Sequence, residues 1–207
     1  MKYRLALFDF DGTLADSFPF FVSVFNTLAD RHDFKRITPD QVDGLRHCSA
    51  REVMAHVGMP AWKLPLVSKN FIALMRQNAD KIALFDGVAE ALRHLREKGV
   101  VLSVISSNSH DNVCQVLGAE IAGMIDYFEC GMSIFGKTAR IRKVLTKSAI
   151  AGSEAIYIGD QASDMEAARK AGVACGAVTW GYGTIESLRR CSPEMEFDEI
   201  ASLGRIA

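Results

Sequence analysis

The sequence predicts an α/β protein, a parallel sheet covered by helices on both faces, with one helical insertion near its start. Short apolar runs that suit buried strands alternate along the chain with helical patterns. Such alternation is typical of parallel sheets with right-handed crossover connections. Only residues 16–84 break the rhythm, since they carry several helix signals and no convincing strand.

The core elements are predicted from apolar runs and from glycines. The predicted strands lie at residues 4–10, 100–105, 155–158 and 173–178. The first run is apolar on both faces, as expected of a strand between two layers of helices. Two of the predicted helices end at Gly99 and Gly172, because glycine suits the left-handed position after a helix.

Residues 16–84 are predicted to form an all-helical cap domain. An apolar stripe that begins at Phe18 marks its first helix, and Pro65 is placed to start its last. Helix-capping patterns lie between them, at Thr38 and Ser49. The stripe could pack within the cap or against a second chain, so the sequence leaves the oligomeric state open. The α/β core then consists of two segments, residues 1–15 and 85–207.

Overall composition excludes several classes of partner. The 207 residues include 24 Lys and Arg against 25 Asp and Glu, so no broad positive field would attract nucleic acid or an acidic membrane. Five widely spaced cysteines without a CxxC pair argue against a disulfide framework or a zinc site. Because the first apolar run is also too short for a signal peptide, we expect a cytoplasmic protein.

Two aspartates follow the first predicted strand, Asp9 and Asp11, directly before Gly12 and Thr13. Side chains two apart on a strand point to the same side, and open parallel sheets bind ligands beyond the carboxyl ends of their strands. A single aspartate there would be an ordinary turn former. Two neighbouring carboxylates repel each other unless a cation or a proton relieves the charge. The pair therefore predicts a Mg²⁺ site that also takes phosphate oxygens.

A further acidic pair follows the third predicted strand. Asp160 lies at the strand end, where we expect it to supply another carboxylate to an ion near Asp9. Asp164 lies near the start of the next helix, where it could equally cap the helix or balance its dipole.

Two further segments could bind phosphate. Ser107 and Asn108 follow the second predicted strand, and a hydroxyl with backbone N–H groups at a helix start suits an anion. The serines here could also merely form the turn and cap the helix. Lys137 starts the helix before Asp160, where a cation opposes the helix dipole unless it serves an anionic site. Other basic residues of this helix, including Arg140, are expected on solvated faces.

These four segments resemble, in the same order, the four motifs of the haloacid dehalogenase superfamily. The segments are residues 9–17, Ser107 with Asn108, Gly136 with Lys137, and residues 159–164. The helical insertion resembles the C1 cap of subfamily I, the phosphoglycolate phosphatase-like enzymes, as do residues 85–88 and 180–183. The resemblance implies a Rossmann-like core and a Mg²⁺-dependent phosphatase for a small phosphorylated metabolite, with phosphoglycolate as the favoured substrate.

The resemblance also implies roles for individual residues. Asp9 would be the nucleophile and a metal ligand. Asp11 would move protons and bind Mg²⁺ through its backbone carbonyl, and Asp160 would complete the metal ligands. The phosphate would be held by Ser107, Asn108 and Lys137, with Thr13 and Asp164 as supporting residues.

Several alternatives remain open from the sequence. The acid at position 11 argues against hydrolytic dehalogenases and phosphonatases, which depart from the motif there. A sugar phosphomutase of the beta-phosphoglucomutase type shares the fold, the cap and the first motif. A receiver-like phospho-signalling module or a non-catalytic scaffold would belong to different classes of protein. Within the cap, Arg46 is the candidate for substrate contact, although the stretch with His47 and Arg51 could be an ordinary polar surface.

Overall fold

The computed structural model of the protein describes residues 2–48, 50–131 and 136–207. Its strands, numbered in chain order, are β1 Leu5–Phe8, β2 Ala15–Asp16, β3 Ala83–Leu84, β4 Val101–Ile105, β5 Tyr127–Glu129, β6 Ala155–Gly159, β7 Ala174–Val178 and β8 Met195–Phe197. Its α-helices are α1 Phe18–His32, α2 Val42–Arg46, α3 Ala50–His56, α4 Leu64–Gln77, α5 Val88–Glu97, α6 His110–Ala122, α7 Gly136–Ser148, α8 Ala162–Ala171 and α9 Ile185–Arg190. The predicted capping residue Ser49 lies outside the described ranges.

Six strands form one parallel sheet in the order β5-β4-β1-β6-β7-β8. The strand order reverses around β1, because the chain passes from β1 to β4 on one side and to β6 on the other. Such a reversal opens a crevice at the carboxyl ends of the strands, where ligands bind in open α/β sheets. The predicted α/β class with a parallel sheet is therefore confirmed.

Both faces of β1 are buried against helices, as its apolar sequence requires. Leu5 and Leu7 pack in a cluster with Ile141 of α7 and side chains of α8. Ala6 and Phe8 pack on the opposite face, in a cluster that includes side chains of α5 and α6. The two layers of helices fix β1 at the centre of the sheet and leave its carboxyl end open.

The helix ends follow the glycine signals. Gly99 and Gly172 both adopt φ +80°, a left-handed conformation that glycine takes without the steric cost of a Cβ atom. The edge strands β5 and β8 were not predicted, since each is only three residues long and carries a central or terminal polar residue.

The inserted segment has its own apolar cluster, formed mainly by α1, α3 and α4 and the turns between them. The buried members are Phe25, Leu28, Ile37, Leu45, Val57, Met59 and Val67. The prediction that this segment lacks strands is wrong at its two ends. There β2 and β3 pair antiparallel, with Ala15 opposite Leu84 and Asp16 opposite Ala83. The division into core and cap domains stays a prediction, and the separate apolar cluster agrees with it.

The expectation that Arg140 lies on a solvated helix face is wrong, because this basic residue is buried. Its guanidinium donates hydrogen bonds to the backbone carbonyl oxygens of Ser106, Glu129 and Gly131. The side chain therefore ties α7 to the ends of β4 and β5. Within the described ranges, no helix combines the length and the apolar character that crossing a membrane requires.

Candidate active site

Three neighbouring strands bring polar side chains to one edge of the sheet. Asp9 is the first residue after β1, Ser106 the first after β4, and Asp160 the first after β6. Because β1 pairs in register with both neighbours, these three positions meet beyond the carboxyl ends of the strands. The crevice predicted from the strand order therefore contains the predicted acidic residues.

Three carboxylates form a compact cluster in this crevice. Asp9, Asp160 and Asp164 each offer an oxygen, and these oxygens all lie within 4.8 Å of one another. All three residues are buried. Crowded carboxylate oxygens of this kind suit a hard divalent cation, which prefers oxygen ligands and neutralises their charge. The cluster could bind a metal.

Lys137 lies against the same cluster. Its Nζ donates to Asp9 Oδ2 at 2.6 Å and to Asp164 Oδ1 at 2.5 Å. Burial alone would lower the pKa of Lys137, but the charges of Asp164 and Asp9 raise that pKa well above its usual value. The lysine is thus a fixed cation of the site and does not lie on a solvated helix face.

Burial and crowding raise the pKa values of two of these carboxylates, Asp9 and Asp160. Burial raises the pKa of Asp9 well above its ordinary value, and Asp164 and Asp160 add to the rise, while Lys137 opposes it. Burial and the charge of Asp164 raise the pKa of Asp160 to about 7. One lysine therefore does not balance the three carboxylates, and the charge of the site favours a further cation.

Asp11 is not a member of this cluster, and it lines a cavity beneath the cap. Its Oδ1 is buried without a hydrogen-bond partner in the described part of the chain. Burial raises the pKa of Asp11, although Ser17, Lys137, Asn108 and Ser106 oppose the rise. Asp11 therefore holds a proton at higher pH than an ordinary aspartate, which suits a group that donates a proton.

In the structure, the buried hydroxyl of the β4 turn belongs to Ser106, whereas the sequence predicted Ser107 for this position. Ser106 is 1% exposed, accepts a hydrogen bond from the Asn108 backbone N–H at 3.0 Å, and lowers the pKa of Asp11. Ser107 is exposed, and in the described part of the chain no hydrogen bond joins its hydroxyl to the carboxylates. The physical reason is position, since Ser106 directly follows β4 as Asp9 directly follows β1. That matching position is the signal that could have identified Ser106.

Asn108 connects the site to the cap. Its Oδ1 accepts hydrogen bonds from the Ser109 backbone N–H and from Asn112 Nδ2, and its own Nδ2 donates to Met75 Sδ of α4. Its side chain also lowers the pKa of Asp11. The predicted phosphate ligand is thus placed beside the site, with its side chain engaged in holding the β4 turn and α4 together.

Thr13 and Asp164 occupy supporting positions. Thr13 Oγ1 donates to Asp160 Oδ1 at 3.4 Å, and the Tyr182 backbone N–H donates to Asp160 Oδ2 at 2.9 Å. Asp164 Oδ2 accepts from the Gln161 backbone N–H at 3.1 Å, while its other oxygen meets Lys137. Asp164 therefore serves both as a helix-capping residue and as a member of the carboxylate cluster.

The loop after β7 holds Asp160 in place and was assigned no role from the sequence. A Cβ atom on Gly181 would lie 2.2 Å from the Asp160 Cβ and 2.5 Å from the Gly12 carbonyl oxygen. Trp180 Nε1 donates to the Thr13 carbonyl oxygen at 3.1 Å. Only glycine fits this close approach. The contact is tertiary, so the one signal for it in the sequence is the run of glycine and aromatic residues at 180–183 noted in the family resemblance.

Arg46 lies on the cap side of the crevice. Its guanidinium carbon is 5.6 Å from the ring centroid of Phe18 and 5.7 Å from that of Tyr182. Arg46 also lines the cavity that Asp11 reaches, whose volume is about 320 Å³. His47 turns to the core backbone instead, with its Nδ1 2.9 Å from the Tyr182 carbonyl oxygen.

Comparison with known proteins places this fold and site in a family. Residues 6–178 match the family model described as haloacid dehalogenase-like hydrolase, and the chain belongs to that family. A phosphoglycolate phosphatase of Synechococcus elongatus is 29% identical over 189 residues, which cover 91% of this chain and 89% of the relative. A phosphoglycolate phosphatase of Xanthomonas campestris pv. campestris is 28% identical over 193 residues, covering 86% and 84%.

The fold itself is also found among solved structures. A haloacid dehalogenase-like family hydrolase from Streptococcus pneumoniae matches with a TM-score of 0.82 at 20% identity, covering 98% of this chain and 97% of that one. The predicted family and fold are confirmed, and the chain is an enzyme of the phosphatase class. The receiver-like signalling module and the non-catalytic scaffold, which the sequence had left as alternatives, do not belong to this class of enzyme.

Proposed function

We propose that the chain hydrolyses a small phosphomonoester in the presence of Mg²⁺, by transferring the phosphoryl group to Asp9. The observation that carries the proposal is the position of the Asp9 carboxylate. It accepts a 2.6 Å hydrogen bond from Lys137 and lies in a cluster with two further buried carboxylates. A carboxylate beside a fixed ammonium and a candidate cation site suits attack on an anionic phosphate.

In the first step, an Asp9 carboxylate oxygen attacks phosphorus and the bond from phosphorus to the leaving-group oxygen breaks. Asp11 donates its proton to that oxygen as the bond breaks, and its raised pKa supports this role. General acid help of this kind is worth about 10²–10⁴ in rate. The products of the step are a free alcohol and an aspartyl phosphate on Asp9.

In the second step, water attacks the phosphorus of the aspartyl phosphate. Asp11, now ionised, takes a proton from this water, and the bond between phosphorus and the Asp9 oxygen breaks. Inorganic phosphate leaves, and both aspartates return to their starting states. One residue thus serves as acid and then as base, which explains why position 11 needs a carboxyl group.

Two groups of the chain would hold the transferring phosphate. Lys137 is a permanent cation at the cluster, and the Ser106 hydroxyl lies at the neighbouring strand end. Mg²⁺ would be held by Asp9 and Asp160, with the Asp11 backbone carbonyl and Asp164 nearby. When bound, it would neutralise charge on the phosphate oxygens.

Phosphoglycolate is the first substrate to test. The similar proteins from Synechococcus elongatus and Xanthomonas campestris carry that substrate in their names. Arg46 supports the idea, because a guanidinium in the cavity wall suits a carboxylate on the leaving group. We also place the enzyme in the cytoplasm, since its five cysteines are all unpaired.

The test is release of inorganic phosphate from phosphoglycolate with Mg²⁺ by the wild type and by Asp9→Asn. We expect Asp9→Asn to lose activity by more than about 10³-fold while keeping the circular dichroism spectrum of the wild type. Rapid quenching should trap one phosphoryl group on the wild type, visible by mass spectrometry, and none on the variant. The matched control is the exposed Asp198, whose change to Asn should leave the rate unaltered.

Two outcomes would contradict the proposal. Near-normal Mg²⁺-dependent release by Asp9→Asn would exclude Asp9 as the nucleophile. Conversion of a sugar 1-phosphate to its 6-phosphate without release of inorganic phosphate would favour the phosphomutase alternative.

A further inference from the structure

The cap forms most of the wall of an apolar, partly open cavity that reaches the proposed site at Asp11. Its volume is about 320 Å³, and α1, α3 and α4 supply walls that include Phe21, Val53, Met54, Leu64 and Phe71. Several of these side chains are only partly buried, so the stripe that starts at Phe18 presents aromatic surface to the cavity. The aromatic residues Phe18, Phe21 and Phe25 of this stripe all line the cavity.

Charge is confined to one end of the cavity. Among the described residues that line it, only Asp11 and Arg46 are charged; Asp11 follows β1 in the core, and the Arg46 guanidinium lies over the Tyr182 ring of the core. A charged group pushed deeper, among the apolar side chains of the cap and the Ser68 hydroxyl, would lose water without gaining a charged partner, which is unfavourable. An alkyl or aryl group would gain from burial there, by about fourfold in affinity for each fully buried methylene.

The position of Asp11 sets what enters this space. In the proposed reaction, Asp11 protonates the leaving-group oxygen, so that oxygen lies beside the Asp11 carboxyl. Asp11 also forms part of the cavity wall. The atoms attached to the leaving-group oxygen therefore extend from Asp11 into the cavity and away from the phosphate.

The size of the cavity exceeds what glycolate needs. An apolar cavity of about 150 Å³ holds benzene, and glycolate is smaller than benzene. A space of about 320 Å³ would remain more than half empty around a glycolate leaving group. Ligand pockets of about 300 Å³ and above take larger organic groups.

We propose that the preferred substrate is a phosphomonoester whose leaving group carries an alkyl or aryl chain, seated in the cap cavity beyond Asp11. This inference rests on the proposed function and makes it more specific. The phosphate would meet Lys137 and the carboxylate cluster, and the apolar chain would pack among side chains such as Phe21, Met54 and Leu64. Arg46 would contact polar atoms near the cavity entrance.

The first test compares ethyl phosphate, hexyl phosphate and phosphoglycolate as substrates of the wild type with Mg²⁺. We expect kcat/KM for hexyl phosphate to exceed that for ethyl phosphate by at least about tenfold, mainly through KM, because four more methylenes enter the cavity. Equal values for the two alkyl esters would overturn the inference and leave the proposed function intact. Preference for phosphoglycolate over hexyl phosphate would do the same. Hydrolysis of none of the three would overturn both.

The second test fills the cavity. Leu64→Trp should reduce the ratio of the hexyl to the ethyl value, because the larger ring occupies the space of the chain. The matched control is Leu66→Trp on the same helix, since Leu66 is 53% exposed and points away from the cavity. We expect the control to keep the wild-type ratio. An unchanged ratio in a folded Leu64→Trp protein would contradict the inference.

A third measurement needs neither a variant nor turnover. Calorimetry with ethylphosphonate and hexylphosphonate, which lack a hydrolysable ester bond, reports binding alone. We expect hexylphosphonate to bind at least about tenfold more tightly and with a more negative heat-capacity change, the mark of buried apolar surface. Equal affinity and equal heat-capacity change would exclude a chain in the cavity.

Discussion

Among the hydroxyl groups of the β4 turn, that of Ser106 interacts with Asp11, although three serines lie within four residues of this turn. Ser106 is buried and linked to the Asn108 backbone, whereas Ser109 caps α6 by accepting from the Asn112 backbone N–H. Ser107 points outward. One turn thus divides its hydroxyl groups among the site, the solvent and the helix start.

This division predicts different effects for two alanine substitutions. Ser106→Ala should lower kcat/KM for a phosphomonoester by about 10-fold to 100-fold, because a hydrogen bond to a charged phosphate is lost. Ser107→Ala should change it by less than about twofold, since that side chain is exposed. Steady-state kinetics with Mg²⁺ measure both, and a larger loss for Ser107→Ala would contradict the assignment.

The acidic residues of the site could be predicted because they follow buried strands, where a carboxylate is unfavourable unless a cation or a hydrogen-bond donor meets it. Asp9 and Asp160 have that position, and Lys137 was identified by its unfavourable place at a helix start. Ser106 could not be chosen from composition, because adjacent serines are chemically equal until the end of β4 is fixed. The close approach of Gly181 to Asp160 is a tertiary contact without local sequence periodicity.

The edge strand β5 is held to α7 by charge as well as by its backbone. Glu129 lies at the end of β5 and is buried, and it accepts hydrogen bonds from Lys143 at 2.8 Å and Lys147 at 2.7 Å. Burial alone would raise the pKa of Glu129, but the hydrogen bonds and charges of the two lysines lower it below its usual value. The lysines of α7 expected on solvated faces thus have partners.

We expect Glu129→Gln to lower the free energy of unfolding by about 1 kcal/mol near pH 7. A carboxylate with a lowered folded pKa stabilises above its unfolded pKa, and that contribution is lost as the pH falls through the folded value. The difference in free energy of unfolding between wild type and variant should therefore become smaller as the pH falls below 4.5, the usual pKa of a glutamate. Urea unfolding at several pH values measures it.

The matched control is Glu120→Gln, which removes an exposed pair with Arg93. We expect it to change the free energy of unfolding by less than about 0.5 kcal/mol. If the difference in free energy of unfolding between wild type and Glu129→Gln became larger toward low pH, the pKa of Glu129 would not be lowered in the folded protein.

The strands missed at this scale share a physical reason. β5 and β8 contain Glu129 and Glu196, and each is three residues long at or near an edge of the sheet. Strand preference depends on packing against neighbours more than on local sequence. Pairing with β4 and β7 forms these strands, so short runs of mixed character gave no usable signal.

Across the whole molecule, the sheet and its helices followed from the alternation of patterns, whereas the shape of the cap interior did not. The cavity exists because the helices of the inserted segment leave space between them, which depends on their packing angles. The contacts that seat the cap on the core are also tertiary. Asn112 Nδ2 of α6, for example, donates to the Ile72 carbonyl oxygen of α4 at 2.9 Å.

Because the site carries excess negative charge, we expect a bound cation to raise the free energy of unfolding of the whole protein. We expect Mg²⁺ at about 100 times its dissociation constant to add about 2.7 kcal/mol, and therefore to raise Tm by about 5–10 °C for a chain of this size. Asp160→Asn should raise Tm in the absence of metal, because it removes one of three crowded carboxylates, and should lose most of the Mg²⁺ response.

Differential scanning calorimetry with Mg²⁺ and with a chelator measures both effects. Asp198→Asn, on the surface, should respond to Mg²⁺ as the wild type does. A full Mg²⁺ response in Asp160→Asn would place the ion elsewhere.

The short antiparallel pair of β2 and β3 affects how the inserted segment of such a protein can be exchanged during evolution. Ala15 lies opposite Leu84, so the chain leaves the sheet core and returns to it at adjacent points. Insertions are tolerated where the two ends of the inserted segment lie close together at the surface. A different segment could span the same two residues without altering the order of the six parallel strands. The residues proposed to act on phosphate and the residues proposed to select its alcohol can therefore vary independently.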